Sequence, residues 1–135
     1  MFRYSICDPL KKDPIEMGDI RKEEVLDVVD RFPWTDLLDK MNGAPESDIH
    51  FSPSLEFENA STRHGLSISI VEEEKGNEFC IFYKRPKTVT RLFGLMKTLD
   101  DNFTSDRFGQ TREDVRDAVI ALLANDVETL ERRWG

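Results

Sequence analysis

Reactive and metal-binding side chains are scarce in this chain of 135 residues, which has two cysteines, Cys7 and Cys80, and two histidines, His50 and His64. They form neither a disulfide framework nor a Cys-x2-Cys or His-x3-His spacing, so a metal site would have to be mostly carboxylate. No metal and no cofactor is expected. Long apolar runs are missing as well: nothing approaches the roughly 18 consecutive apolar residues of a membrane-spanning helix. The opening MFRYSICDPLKKD turns charged within a few residues and lacks the apolar centre of a signal peptide, which with the sparse cysteines predicts a cytoplasmic protein. No P-loop, dinucleotide glycine pattern or nucleophile elbow occurs. Asn59-Ala60-Ser61 and Asn102-Phe103-Thr104 match the N-glycosylation acceptor pattern, and without an export signal both read as chance.

Positive charge is in deficit: 19 Lys and Arg stand against 27 Asp and Glu, a net of −8. The imbalance is uneven. Residues 13–78 hold 17 acids and six bases, whereas residues 79–112 hold three acids and seven bases. An acidic surface repels phosphate backbones, which argues against general nucleic-acid binding and suits a basic protein partner. At this length a single domain over 1–135 buries enough surface to fold without staples.

Periodicity outlines the elements. Phe2, Tyr4 and Ile6 alternate with Arg3, Ser5 and Cys7, predicting a strand. Two Asp-Pro steps then keep the chain out of helix until Gly18-Asp19, where Asp19 can cap a helix with Val25, Val28, Val29 and Phe32 on one stripe. Pro33 ends it and can open a second helix, in which Trp34, Leu37, Leu38 and Met41 repeat the stripe and Asn42-Gly43, tolerant of left-handed backbone, stops it. From Pro53 the period becomes two: Leu55 and Phe57, then Leu66, Ile68 and Ile70, read as antiparallel strands. The segment 78–85 is apolar on both parities. A turn at Gly76-Asn77 would pair Ile70 with Tyr83 and Val71 with Phe82, apolar with apolar. Thr88-Val89-Thr90 could start another strand reaching Leu92 and Phe93. Residues 94–110 are ambiguous, with helical spacing at Met96, Leu99 and Phe103 and loop chemistry at Asp100-Asp101-Asn102. Thr111 caps a helix bearing Val115, Ala118, Val119, Leu122 and Leu123, and Val127, Leu130 and Trp134 mark a last short one. The expected architecture is α+β: an antiparallel sheet of about 4–5 strands packed with N-terminal and C-terminal helices.

Catalytic constellations fail one by one. A Cys80–His64 dyad is opposed by the register, which places position 80 opposite Glu73 and far from His64 along the ladder. Asp100, Asn102 and Thr104 alternate as in an EF-hand loop, but Ser105 stands at the required Gly and Thr111 at the bidentate Glu. The mix of Phe82, Tyr83 and Phe93 with cations lacks the glycines of an RNA-recognition strand. Glu72-Glu73-Glu74 reads as a solvated hairpin tip. Two sets of charged residues remain. Glu23, Asp27 and Asp30 fall at i, i+4 and i+7 opposite the apolar stripe of the first helix, and Asp36 and Asp39 extend that acidic stripe onto the second. Lys84, Arg85, Lys87 and Arg91 form a basic run.

In size, acidity and lack of a catalytic constellation the chain resembles the small cytoplasmic immunity proteins of bacterial toxin systems, a likeness of profile that covers no motif. It implies a non-catalytic binding protein, of immunity or inhibitor type, whose acidic surface at Glu23, Asp27, Asp30, Asp36 and Asp39 engages a basic partner. A second reading is a small-ligand or anion-binding protein or enzyme with a pocket near Lys84, Arg85, Lys87 and Arg91. A third is a homo-oligomeric accessory subunit.

Overall fold

The alternation at the N-terminus becomes strand β1 (Phe2–Cys7), with its apolar parity turned toward the core. The computed structural model describes every residue except Lys75, Leu92, Phe93 and Leu95, and describes Thr90, Arg91 and Met96 by backbone alone. β2 (Ile15–Ile20), β3 (Ser54–Asn59), β4 (Gly65–Glu73), β5 (Gly76–Arg91) and β6 (Met96–Gln110) complete an antiparallel sheet of order β2-β1-β3-β4-β5-β6. Helices α1 (Lys22–Arg31) and α2 (Trp34–Asn42) fall between β2 and β3, and α3 (Arg112–Leu123) and α4 (Val127–Trp134) end the chain. The architecture is therefore α+β, with six strands among the described residues instead of four or five.

The core lies between the helices and one face of the sheet. Leu55 and Phe57 of β3, Leu66, Ile68 and Ile70 of β4, and Phe79, Ile81 and Tyr83 of β5 form the sheet side. Val25 and Val29, Trp34 and Leu38, Val115, Ala118, Val119 and Leu122, and Leu130 and Trp134 cover them from α1, α2, α3 and α4 in turn. Fully burying one such aliphatic or aromatic side chain is worth roughly 1.5–3 kcal/mol. Trp34 donates its indole N–H to the Val29 carbonyl at 3.2 Å and meets Phe79 edge-on at 5.2 Å, which ties α1, α2 and β5 together. Thr111 caps α3 with a full capping box: its hydroxyl accepts from the Asp114 N–H, and the Asp114 carboxylate accepts from the Thr111 N–H.

Four local readings are corrected. Residues 15–20 are not a prelude to the first helix but edge strand β2, bulged where Gly18 takes φ +85°; Asp19 pairs with Arg3, and Arg21 stands at the start of α1 with no side-chain cap. Pro33 precedes α2 as its cap instead of opening it, and Gly43 ends α2 in right-handed backbone. β5 does not stop before Pro86: a register shift between Arg85 and Lys87 accommodates the missing N–H, so one strand runs on to Arg91, while Leu92 and Phe93 lie outside the described residues. Residues 96–110, ambiguous in sequence, are strand β6, and the EF-hand-like positions lie within it.

The β4–β5 register also differs. Ile70 pairs with Phe79 and Tyr83 with Leu66, not Ile70 with Tyr83. The ladder is displaced by an even number of residues, which leaves every side chain on its expected face.

Candidate functional site

The four helices cover one face of the sheet, and the opposite face carries the other parity of each strand. Two successive rows cross it. In the first, Asp19, Arg3, Glu58, Gly65, Lys84 and Thr104 stand opposite one another from β2 to β6. In the second, the order is Glu16, Ser5, Glu56, Ser67, Phe82 and Asp106. Across these rows five carboxylates face two cations. Between them lies a groove of about 610 Å³, within the size range of ordinary ligand sites. Small residues, Gly65, Ser67 and Ser5, leave its floor low.

The groove is electrostatically divided. Arg3 lies 3.6 Å from Glu58. Glu56 accepts a hydrogen bond from the Ser5 hydroxyl at 3.2 Å, which orients an otherwise exposed carboxylate. On the other side Lys84 is half-buried beside Phe82, with no ion-pair partner among the described residues. Gly65 cannot grow a side chain without conflict: a Cβ there would sit 2.7 Å from the Phe57 carbonyl oxygen on the neighbouring strand. Gly65→Ala is expected to lower unfolding free energy by about 1–3 kcal/mol in urea titrations, whereas Ser67→Ala next to it stays within about 0.5 kcal/mol of the parent.

A third row, Cys7, Ser54, Ser69 and Cys80, is buried. The two serine hydroxyls are 2.7 Å apart. Burial, reinforced by Glu56 and Glu16 for Cys7 and by Asp106 for Cys80, pushes both thiols up to about 11, so they stay protonated and weakly nucleophilic at neutral pH. Cys80 stands opposite Ser69, not Glu73, while His64 bonds through Nδ1 to the Tyr83 hydroxyl at 2.7 Å. The ring of Tyr83 belongs to the helix-covered core, so thiol and imidazole occupy opposite faces of the sheet.

The basic run is split by strand alternation. Lys84 enters the groove, whereas Arg85 points into the helix-covered side and is 1% exposed. Its guanidinium makes a two-pronged bond to Glu131 of α4, with Nε and Nη2 each 2.9 Å from a carboxylate oxygen. Nη1 donates to the Tyr83 carbonyl and to Ser105 Oγ. Tyr83 and Phe103 rings stack against it at 4.3 and 4.7 Å. Lys87 shares Glu131 at 3.7 Å, and the Arg91 side chain lies outside the described residues. The Arg85 hydrogen bonds hold Glu131 below the usual carboxylate range, and burial together with Glu131 pushes Tyr83 up to about 12.

The expected acidic stripe lies on the exposed sides of α1 and α2, and two of its members are neutralised within the chain. Asp27 pairs with Arg31 at 2.9 Å, and Asp30 accepts from Arg116 of α3 at 2.6 Å. Glu23, Asp36 and Asp39 are exposed. Sequence reading weighed Phe82 with the basic run but did not single out Arg3, Glu16, Glu56 or Glu58; the alternation of β1 and β3 places Arg3, Glu56 and Glu58 on one face, but only the strand order brings them to Glu16 and Phe82. Among the described residues no group of three or more His, Cys, Asp or Glu side chains is arranged to hold a metal ion, and no helix is long and apolar enough to cross a membrane. Compared with known protein families, curated proteins and solved structures, the chain matches none.

Proposed function

We propose that the protein is a non-catalytic binding protein that engages a basic partner, an immunity-type or inhibitor role being one instance, and that the uncovered sheet face is where it does so. The observation that carries this reading is the groove: a concave surface left bare by all four helices, lined by three carboxylates, Glu16, Glu56 and Glu58, against two cations, Arg3 and Lys84, with Asp19 and Asp106 at the ends of the same two rows. Complementary charge raises association rate and selects against acidic competitors. The outer side of α1 and α2 is the rival surface; two of its five acids, Asp27 and Asp30, already have cationic partners, as Glu58 has Arg3 in the groove, and among the described residues it lacks a concave site of the groove's size.

Two variants that remove the same number of charges separate the surfaces. The ligand is a mixture of fluorescein-labelled hexapeptides rich in Lys and Arg, followed by anisotropy. Glu16→Gln/Glu56→Gln/Glu58→Gln is expected to weaken binding at least 10-fold and flatten its salt dependence, while Glu23→Gln/Asp36→Asn/Asp39→Asn changes it less than 2-fold. The reverse pattern moves the site to the helices. No binding of the basic mixture by the parent protein rejects the reading.

A further inference from the structure

Lys84 is the feature of the groove that a purely cationic partner does not explain. It is a half-buried lysine with no carboxylate in ion-pair distance among the described residues, set in the wall of a site whose other charges are mostly negative. Beside it, the Ser67 hydroxyl on the groove floor makes no hydrogen bond among the described residues. An ammonium and a free hydroxyl facing one space form a receptor for a carboxylate.

A basic partner is short of acidic side chains, yet every polypeptide carries one carboxylate at its C-terminus. Resting on the proposed basic partner, we infer that the groove takes the free C-terminal end of that partner. The terminal carboxylate lies against Lys84 and Ser67, and a Lys or Arg side chain one or two residues earlier lies along Phe82 to reach Glu56 and Glu16. The dimensions agree. Glu56 and Lys84 are separated by two strand spacings and one step of two residues, about 12 Å between backbone positions. Three extended residues span about 10 Å, and side chains close the remainder. The half-buried Phe82 ring gives the arriving cation an aromatic face between Glu56 and Asp106. The Ser5 hydroxyl already holds the receiving Glu56 carboxylate in place.

The experiment compares two mixtures of fluorescein-labelled hexapeptides, each with Lys or Arg at the second and third positions from the C-terminus and neutral residues elsewhere. One ends in a free carboxylate and the other in an amide. Against the parent protein the free-acid mixture is expected to bind at least 10-fold tighter. Lys84→Met should erase that difference, bringing the acid down to the amide, whereas Glu56→Gln should weaken both mixtures by the same factor. Equal affinity of acid and amide for the parent protein overturns the C-terminal assignment and leaves the basic-partner reading standing. Failure of both mixtures to bind overturns the two together. Because the acid-to-amide ratio is read first on the parent protein, the outcome does not depend on the variants folding.

Discussion

Raising the pH from 8 to 11 is expected to destabilise the protein by about 6 kcal/mol. Cys7 and Cys80, 3% and 1% exposed, have thiols pushed from 9.0 up to about 11, chiefly by burial. Between those values the unfolded chain has released a proton from each thiol while the native state still holds both, so the native state binds more protons and loses stability as pH rises. Each thiol shifted by two pH units removes about 2–3 kcal/mol over that window. Tyr83, pushed from 10.0 up to about 12, adds a loss of the same sign above pH 10. A domain of this size has roughly 5–15 kcal/mol in total, so the combined loss is of the same order. Trp34 and Trp134, both buried, report the transition by fluorescence. The Cys7→Ala/Cys80→Ala variant should keep a nearly constant urea midpoint from pH 8 to 10, where the parent midpoint falls steadily. A parent midpoint that stays level through pH 10 would show that the thiols are not desolvated in the native state.

Those thiols mark where the sequence could be read and where it could not. Period-two alternation in β1, β3, β4 and β5 was sufficient to assign faces, because burying one face penalises any odd slip. It could not distinguish registers that differ by an even number of residues. Ile70 therefore met Phe79 instead of Tyr83 with no apolar side chain exposed as a result. β2 and β6 were hidden for a different reason. Both are edge strands, and in β2 only Ile20 is buried, so backbone pairing holds them with little need for apolar alternation. Asp100-Asp101-Asn102, which reads as loop, is compatible with a strand open to water on its outer edge.

The basic run was visible as composition, but its parity was the informative part. Arg85 shares the parity of Phe79, Ile81 and Tyr83 and was bound for the core, while Lys84 belongs with Cys80 and Phe82 on the open face. What the alternation could not supply was the partner: Glu131 lies in α4, and only the packing of that helix on β5 and β6 brings it to Arg85. The groove was similarly out of reach. It depends on β3 pairing with β1 across two intervening helices, a long-range contact with no local signal in the chain.

Removing the Glu131 carboxylate is expected to lower unfolding free energy by about 3 kcal/mol, the low end for a broken buried pair because Glu131 itself is 35% exposed. Glu131→Ala leaves the 1%-exposed guanidinium of Arg85 with neutral protein partners alone, Ser105 and the Tyr83 carbonyl. For 135 residues that corresponds to a fall in melting temperature of about 10 °C. Arg85→Met/Glu131→Met removes both charges at similar volume and is expected to return to within about 1 kcal/mol of the parent, since neither ion is then left unpaired. The pH dependence has a definite sign. Glu131 titrates below its ordinary value of 4.5, so its contribution is complete above that pH and disappears as acid protonates the native carboxylate. His64, lowered from 6.5 mainly by burial, also binds its proton less readily in the native state, and its contribution is lost on acidification from pH 6.5 downward. Glu131→Ala should abolish the loss below pH 4.5 that belongs to this pair and deepen the His64 step, because burial and the Arg85 charge, which both disfavour the imidazolium, then act without the opposing Glu131 carboxylate. Because Ser105 also donates to the Trp134 carbonyl, the loosened element should be α4, seen as faster amide exchange over 127–134 with α3 unchanged. A cost below 1 kcal/mol, or exchange spread evenly over the helices, would mean that the apolar burial of Leu130 and Trp134 holds α4 without the ion pair.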